Sequence, residues 1–246
     1  MQRPVALFTD FGVAGPYLGQ VKAVLLTRAP GVPVIDLMAD APAFNPRASA
    51  YLLAALIPEM PKNAVVLAVV DPGVGGERQP MVAEIEGRLV VGPDNGLLEM
   101  ALRGARQARS WRIVWRPERL SVTFHGRDLF APVAALLAQG VAPEAAGCEA
   151  MDNPCRLDWP NQLAEVIYVD HYGNAMTGLQ SDAMPVEAVL QVNGHMLRHA
   201  QTYEAVPAGT PFWYGNSMGL VEVAVSQRRA ETVLNFAIGT AIGRDA

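Results

Sequence analysis

Clustered positive charge is missing from this chain. It has no run of Lys or Arg, its net charge is -5, and only 17% of its residues are charged. Phosphate backbones and anionic membrane surfaces are bound by concentrated positive charge, so nucleic acid and membrane are not expected as partners. Neither G-x-G-x-x-G nor G-x-x-x-x-G-K-[ST] occurs, which removes the dinucleotide fingerprint and the phosphate-cradling loop. No apolar run approaches membrane-spanning length. Val5-Ala6-Leu7-Phe8 meets Asp10 too soon for a signal peptide, so a cytoplasmic location is the expectation. Cysteine is scarce: Cys148 and Cys155 lack a metal-ligand spacing and read as reduced, structural thiols. His195 and His199 lie four apart in a stretch that reads as strand, so no metal site is expected.

What the chain has is apolar content, 51%, enough to bury a core in one large domain or two modest ones. Short β-type runs alternate with helical patterns: Val5 to Thr9, Leu18 to Arg28, Val32 to Leu37, Ala48 to Ile57, Val65 to Val70. That rhythm predicts βαβ units and a largely parallel sheet. Asn45-Pro46 signposts a helix start, with a capping side chain ahead of a first-turn proline. Met81 to Ile85 and Arg88 to Val91 flank Glu86-Gly87 as a hairpin, and Phe130 to Gln139 is an apolar helix ending at Gly140. From Val141 to about Gln162 Pro, Ala, Asn and Asp take over, which reads as a linker. Beyond it the runs are strand-like: Ala164 to Val169, Ala188 to Val192 before Asn193-Gly194, Pro211 to Tyr214, Leu220 to Val225 and Val233 to Ile238. The fold class is therefore α/β: an N-terminal, mostly parallel α/β sandwich domain over 1–145, a linker over 146–162, and a smaller C-terminal all-β, barrel-like domain over 163–246.

Polar residues gather directly after apolar strands, where open α/β sheets place their ligands. These segments are Thr9-Asp10-Phe11-Gly12, Asp71-Pro72-Gly73-Val74-Gly75-Gly76-Glu77-Arg78, Gly92-Pro93-Asp94-Asn95-Gly96 and Phe124-His125-Gly126-Arg127-Asp128. Asp10 suits a vicinal diol, as acidic residues accept from ribose, and equally suits a turn or cap. Asp71 enters a glycine-rich loop that ends at Arg78, where backbone can approach a ligand closely. Asp71, Arg78 and His125 together can hold and polarise a water, carboxylate or imidazole accepting a proton while guanidinium fixes orientation and charge. The same three can equally form a structural ion network. Arg127 and Asp128 read as an adjacent structural pair. In the second domain, Asp170-His171-Tyr172-Gly173-Asn174 can meet an ammonium group or a base, and is also ordinary turn chemistry. The loop Trp213 to Gly219 can bind a carboxylate through Ser217 and backbone N–H groups, with Trp213 and Met218 read as core.

In their order and number these segments resemble the S-adenosyl-L-methionine (SAM) hydrolase, adenosine-forming, or SAM hydroxide adenosyltransferase family, relatives of the fluorinase and chlorinase, over nearly the whole chain. The resemblance implies a homotrimer with sites between the N-domain of one subunit and the C-domain of the next. It implies that Asp71, Arg78 and His125 position and activate water and that Asp10 binds the ribose hydroxyls. Asp170 would hold the methionine ammonium, Tyr172 and Asn174 would contact adenine, and Ser217 the methionine carboxylate. Phe44 stands near the position of an aromatic in the halogenating members, and Met218 replaces a basic residue of the fluorinase. SAM would be the substrate, with no cofactor. The implied reaction is attack of a water-derived oxygen on the ribose C5′, giving adenosine and methionine. The alternatives are a SAM-dependent halogenase and a non-catalytic SAM- or nucleoside-binding protein.

Overall fold

The computed structural model describes residues 2–154 and 158–244, so Cys155 lies outside the described residues. The chain divides into two compact units, 1–157 and 158–246.

The first unit is built on a seven-stranded sheet of order β2-β1-β3-β5-β4-β6-β7. Its strands are β1 (Val5–Thr9), β2 (Val34–Met38), β3 (Val65–Val69), β4 (Pro80–Ile85), β5 (Arg88–Pro93), β6 (Ala108–Ile113) and β7 (Cys148–Met151). β2, β1, β3 and β5 run parallel, while β4, β6 and β7 add on antiparallel. Every residue of β1 and β3 is buried, as strands covered on both faces require. The helices are α1 (Tyr17–Arg28), α2 (Pro46–Leu56), α3 (Glu99–Gly104) and α4 (Ala131–Ala138). Val21 and Leu25 of α1 share one apolar cluster with α4 and with Val5, Leu7, Val65 and Leu67 of the sheet.

Local signals hold where the backbone needs a particular residue. Asn45 caps α2, its Oδ1 accepting from the Ala48 N–H at 3.0 Å. Glu86 and Gly87, at φ 49° and 85°, make the two-residue turn between β4 and β5. The linker reading needs correction, because Cys148–Met151 pairs with β6 as the sheet's last strand. Its short, half-exposed strand carries little alternation, so the polar composition around it masked the pairing.

The second unit carries seven strands of order β14-β10-β11-β12-β13-β9-β8. They are β8 (Leu163–Val169), β9 (Ala175–Gln180), β10 (Leu190–Val192), β11 (His195–His199), β12 (Pro211–Gly215), β13 (Leu220–Val225) and β14 (Gly243–Arg244). The backbone around 239–242 bonds to Ala164 and Val166 of β8, and β14 pairs with β10, so the two edges of the sheet approach closure as a barrel. Asn193-Gly194 turns β10 into β11 as predicted. The expected strand over Val233 to Ile238 is instead helix α5 (Ala230–Leu234), ended by Asn235 in the left-handed conformation. Ala230 and Leu234, four apart, are its buried residues, a helical period that two adjacent apolar residues, Val233 and Leu234, had obscured. Among the described residues no helix is long and apolar enough to cross a membrane.

Candidate active site

Three loops of the first unit bring Asp71, Arg78 and His125 together. Asp71 follows the end of β3, Arg78 precedes β4, and His125 opens a π-helical turn, Gly126–Phe130, that runs into α4. The Arg78 Nε donates to both Asp71 oxygens at 3.0 Å, and its Nη2 donates to Asp71 Oδ2 and, at 2.9 Å, to His125 Nδ1. The Arg78 and Asp71 side chains are only 10% and 4% exposed. Phe130 lies under the guanidinium, its ring centroid 5.3 Å from Cζ. An ion pair this buried holds its geometry because separating it would strand a charge out of water.

Two consequences follow for the atoms that remain. Guanidinium can only donate, so Nδ1 of His125 must accept, and the neutral imidazole carries its proton on Nε2. Burial first, and then the Arg78 cation, hold His125 below its ordinary value, so it is neutral at pH 7. Among the described residues Nη1 of Arg78 makes no hydrogen bond, so the cluster presents it together with the imidazole Nε2–H as donors.

The surrounding backbone fixes this arrangement. Gly75, at φ 80°, packs so tightly on the loop before His125 that a Cβ would collide with the Val122 carbonyl oxygen. Asn95 donates from Nδ2 to the Val70 carbonyl at 2.9 Å and accepts the Leu97 N–H, which ties the Gly92–Gly96 segment to the backbone just before Asp71. At Gly126 a Cβ would sit 2.9 Å from the Phe11 ring, beside the cluster of Phe11, Tyr17 and Phe124. Arg127 and Asp128 pair with each other, and Asp128 accepts the Ser121 N–H at 2.9 Å, in keeping with a structural role.

Asp10 follows β1, beside the end of β3. Its Oδ2 accepts the Phe44 N–H at 3.2 Å. Phe44 holds a positive φ of 57° and leaves its ring 80% exposed. Burial raises the Asp10 pKa against the pull of that N–H, and Asp71 adds to the rise. Cys148 is buried in β7, its thiol pushed up to about 11 by burial, so it is an inert thiol.

In the second unit, Asp170 and Asn174 close the turn from β8 to β9. The Asn174 N–H donates to Asp170 Oδ1 at 2.8 Å and its Nδ2 to Oδ2 at 3.2 Å. Turn chemistry and a presented carboxylate are thus the same structure. Tyr172, 73% exposed, borders a cavity of about 620 Å³ together with His171, Asn174, Tyr203, Gln227 and Arg229. Ser217 is exposed on the turn between β12 and β13, where Asn216 Oδ1 accepts the N–H groups of Met218 and Leu220. Met218 is half-buried.

Sequence reasoning missed the residues that join these pieces. Nδ2 of Asn174 also donates to the Tyr203 hydroxyl at 3.0 Å, and Tyr203 meets the Tyr214 hydroxyl at 2.8 Å. Tyr214 donates to Glu222 of β13, which also accepts from Asn216 Nδ2 at 2.9 Å. Burial raises the Glu222 and Tyr214 pKa values. One signal was available: Glu222 interrupts an otherwise apolar strand, and such a charge is either solvated or buried with partners.

Comparison with known proteins places these two units on one template. The sequence model of the SAM hydroxide adenosyltransferase N-terminal domain matches residues 5–147, and that of the C-terminal domain residues 164–243. A Thermus thermophilus protein named (R)-S-adenosyl-L-methionine hydrolase is 40% identical over 96% of this chain and 97% of its own. A Salinispora arenicola protein of the same name is 39% identical over 94% of this chain and 93% of its own. Among solved structures, an uncharacterized conserved protein from Thermotoga maritima superposes with a TM-score of 0.89 at 29% identity, covering 98% of this chain and 100% of that one.

Proposed function

The chain belongs to the SAM hydroxide adenosyltransferase family, and from that premise we propose that it hydrolyses S-adenosyl-L-methionine to adenosine and L-methionine. The observation that carries this reading is the buried Asp71–Arg78–His125 cluster inside a chain that is similar to named hydrolases over almost its full length.

In the reaction a water-derived oxygen forms a bond to the ribose C5′ as the C5′–S bond breaks. The electron pair goes to sulfur, methionine leaves as a neutral thioether, and one proton is released per turnover. A neutral leaving group needs no general acid, so the barrier lies in making water nucleophilic and aligning it with the C5′–S bond. Arg78 supplies a fixed cation and an unengaged Nη1, and His125 supplies an Nε2–H; both stabilise the hydroxide left when the bound water loses its proton to solvent, and that hydroxide attacks C5′. Asp71 holds the guanidinium plane in place. Asp10 binds the ribose hydroxyls and Asp170 the methionine ammonium. Tyr172 and Asn174 contact adenine, and Ser217 contacts the methionine carboxylate. Phe44, whose N–H bonds Asp10 and whose side chain is exposed, offers the nucleoside an apolar surface.

The relatives' names specify the R configuration, and we carry it to this chain: the (R)-sulfonium epimer is the preferred substrate. We further propose a homotrimer, with each site shared between subunits, working in the cytoplasm without a cofactor. Incubation of each SAM epimer in H₂¹⁸O tests the reaction. Adenosine carrying ¹⁸O at its 5′ oxygen, with one proton released per molecule, is expected. Intact SAM of both epimers after prolonged incubation with folded protein would overturn the reading, and light scattering that gives the mass of three chains supports the trimer.

A further inference from the structure

The hydrogen-bond chain of the second unit has a direction. Asp170 is a carboxylate that can only accept, so the Asn174 amide must turn its NH₂ toward it. The second N–H of that amide goes to the Tyr203 oxygen, and the Tyr203 proton is left for Tyr214. Tyr214 in turn gives its proton to Glu222, which is 3% exposed and also takes an N–H from Asn216. Both amide protons of Asn174 are therefore committed to protein. Its Oδ1 accepts no hydrogen bond from the described residues, and the side chain lines the cavity beside the Tyr172 ring.

We infer that Glu222, Tyr214 and Tyr203 are positioning residues that set Asn174 as an acceptor-only group and so select a purine with a 6-amino substituent over one with a 6-oxo substituent. The inference rests on the reading of Asn174 as an adenine contact. A 6-amino group donates to Oδ1; a 6-oxo group would set two acceptors face to face. Tyr203 can act this way because its ring is held independently of its hydroxyl, edge-on to Phe212 at 5.4 Å. Removal of the hydroxyl strands an amide N–H of Asn174 in a buried position, and the amide rotates to regain a partner. The same buried Glu222 steadies the Asn216 side chain that shapes the Ser217 turn, so one carboxylate braces both ends of the proposed substrate site.

Calorimetric binding of adenosine and inosine to the full-length protein tests this without relying on turnover. The wild type is expected to prefer adenosine by about tenfold or more, the scale of one well-placed hydrogen bond against a mismatch. Tyr203→Phe and Glu222→Gln each reduce that preference by about threefold or more, and the double variant falls no further than the weaker-discriminating single one, because the two act in series. Melting curves confirm that each variant is folded. An unchanged preference in both folded variants overturns the inference, as does a wild type that binds inosine as well as adenosine. Preference that responds while SAM stays intact sinks the hydrolase reading and leaves this one standing; SAM cleavage with an unresponsive preference does the reverse.

Discussion

The clusters of the two units use opposite means to hold polar groups in place. In the first, one full cation sits between a carboxylate and an imidazole, and three side chains complete the network. In the second, an amide and two phenols pass hydrogen bonds between two carboxylates, Asp170 and Glu222. Charge concentrated at one point suits a reacting atom whose charge changes. A chain of neutral donors suits recognition, since each link fixes orientation while little net charge changes. The difference predicts that damage to the first cluster appears in kcat and damage to the second in KM and selectivity.

The largest effect should come from Arg78→Met. It removes the cation and leaves Asp71, 4% exposed, unpaired. Turnover should fall by about a thousandfold, as when a preorganised donor is lost, and stability by about 3–5 kcal/mol. Pairing it with Asp71→Asn should recover much of the stability and none of the rate. Rate and stability returning together would erase the contrast between the clusters. His125→Ala comes next: turnover should drop by about a hundredfold while SAM binding stays near wild type, measured by single-turnover kinetics and calorimetry. An unchanged rate would remove His125 from the mechanism. Gly75→Ala should follow at about tenfold in kcat, since the clash with Val122 pushes the Arg78 loop from the His125 loop without altering any catalytic atom.

Acidity separates the clusters as well. His125 has a folded pKa below 6.5, so kcat/KM should hold down to below pH 6.5 and decline only once the imidazole takes a proton and Nδ1 can no longer accept from Arg78. The unfolded chain binds that proton first, near pH 6.5. The stability from neutral His125 is therefore complete above 6.5 and is lost as pH falls from there through the folded value. In Arg78→Met the neighbouring cation is gone, and the acid limb should move up in pH.

How far the sequence discloses each cluster follows from the same physics. Asp10 and Asp71 are legible because each follows a short, predominantly apolar run that forms a fully buried strand, and Asn45, Glu86-Gly87 and Asn193-Gly194 because local backbone demands them. Their meeting with Arg78 and His125 depends on loops that only tertiary packing closes; the residues leave a water site and a structural ion network equally open, and the family resemblance favours the first. The second cluster was less legible. Tyr203 lies in a short turn with no periodicity, Tyr214 reads as an ordinary strand aromatic, and Glu222 looks like a solvent-facing member of β13 although all six residues of that strand are buried. Val233 read as strand because a five-residue helix leaves too few turns for its period to show.

The smallest effect should come from Tyr214→Phe, which tests whether the second cluster acts as a chain or as separate contacts. The ring stays packed against Phe212 and Tyr203, and only the hydroxyl between Tyr203 and Glu222 is lost. Separate contacts would confine the damage to Glu222, which keeps its bond from Asn216, and the substrate site would not register the change. A chain instead leaves the Tyr203 proton without its acceptor, and Asn174 responds although nothing touching it was altered. KM for SAM should then rise about threefold with kcat unchanged, the scale of one weakened neutral hydrogen bond. A fall in kcat at constant KM would place the second cluster in the chemistry and dissolve the division of labour between the two units.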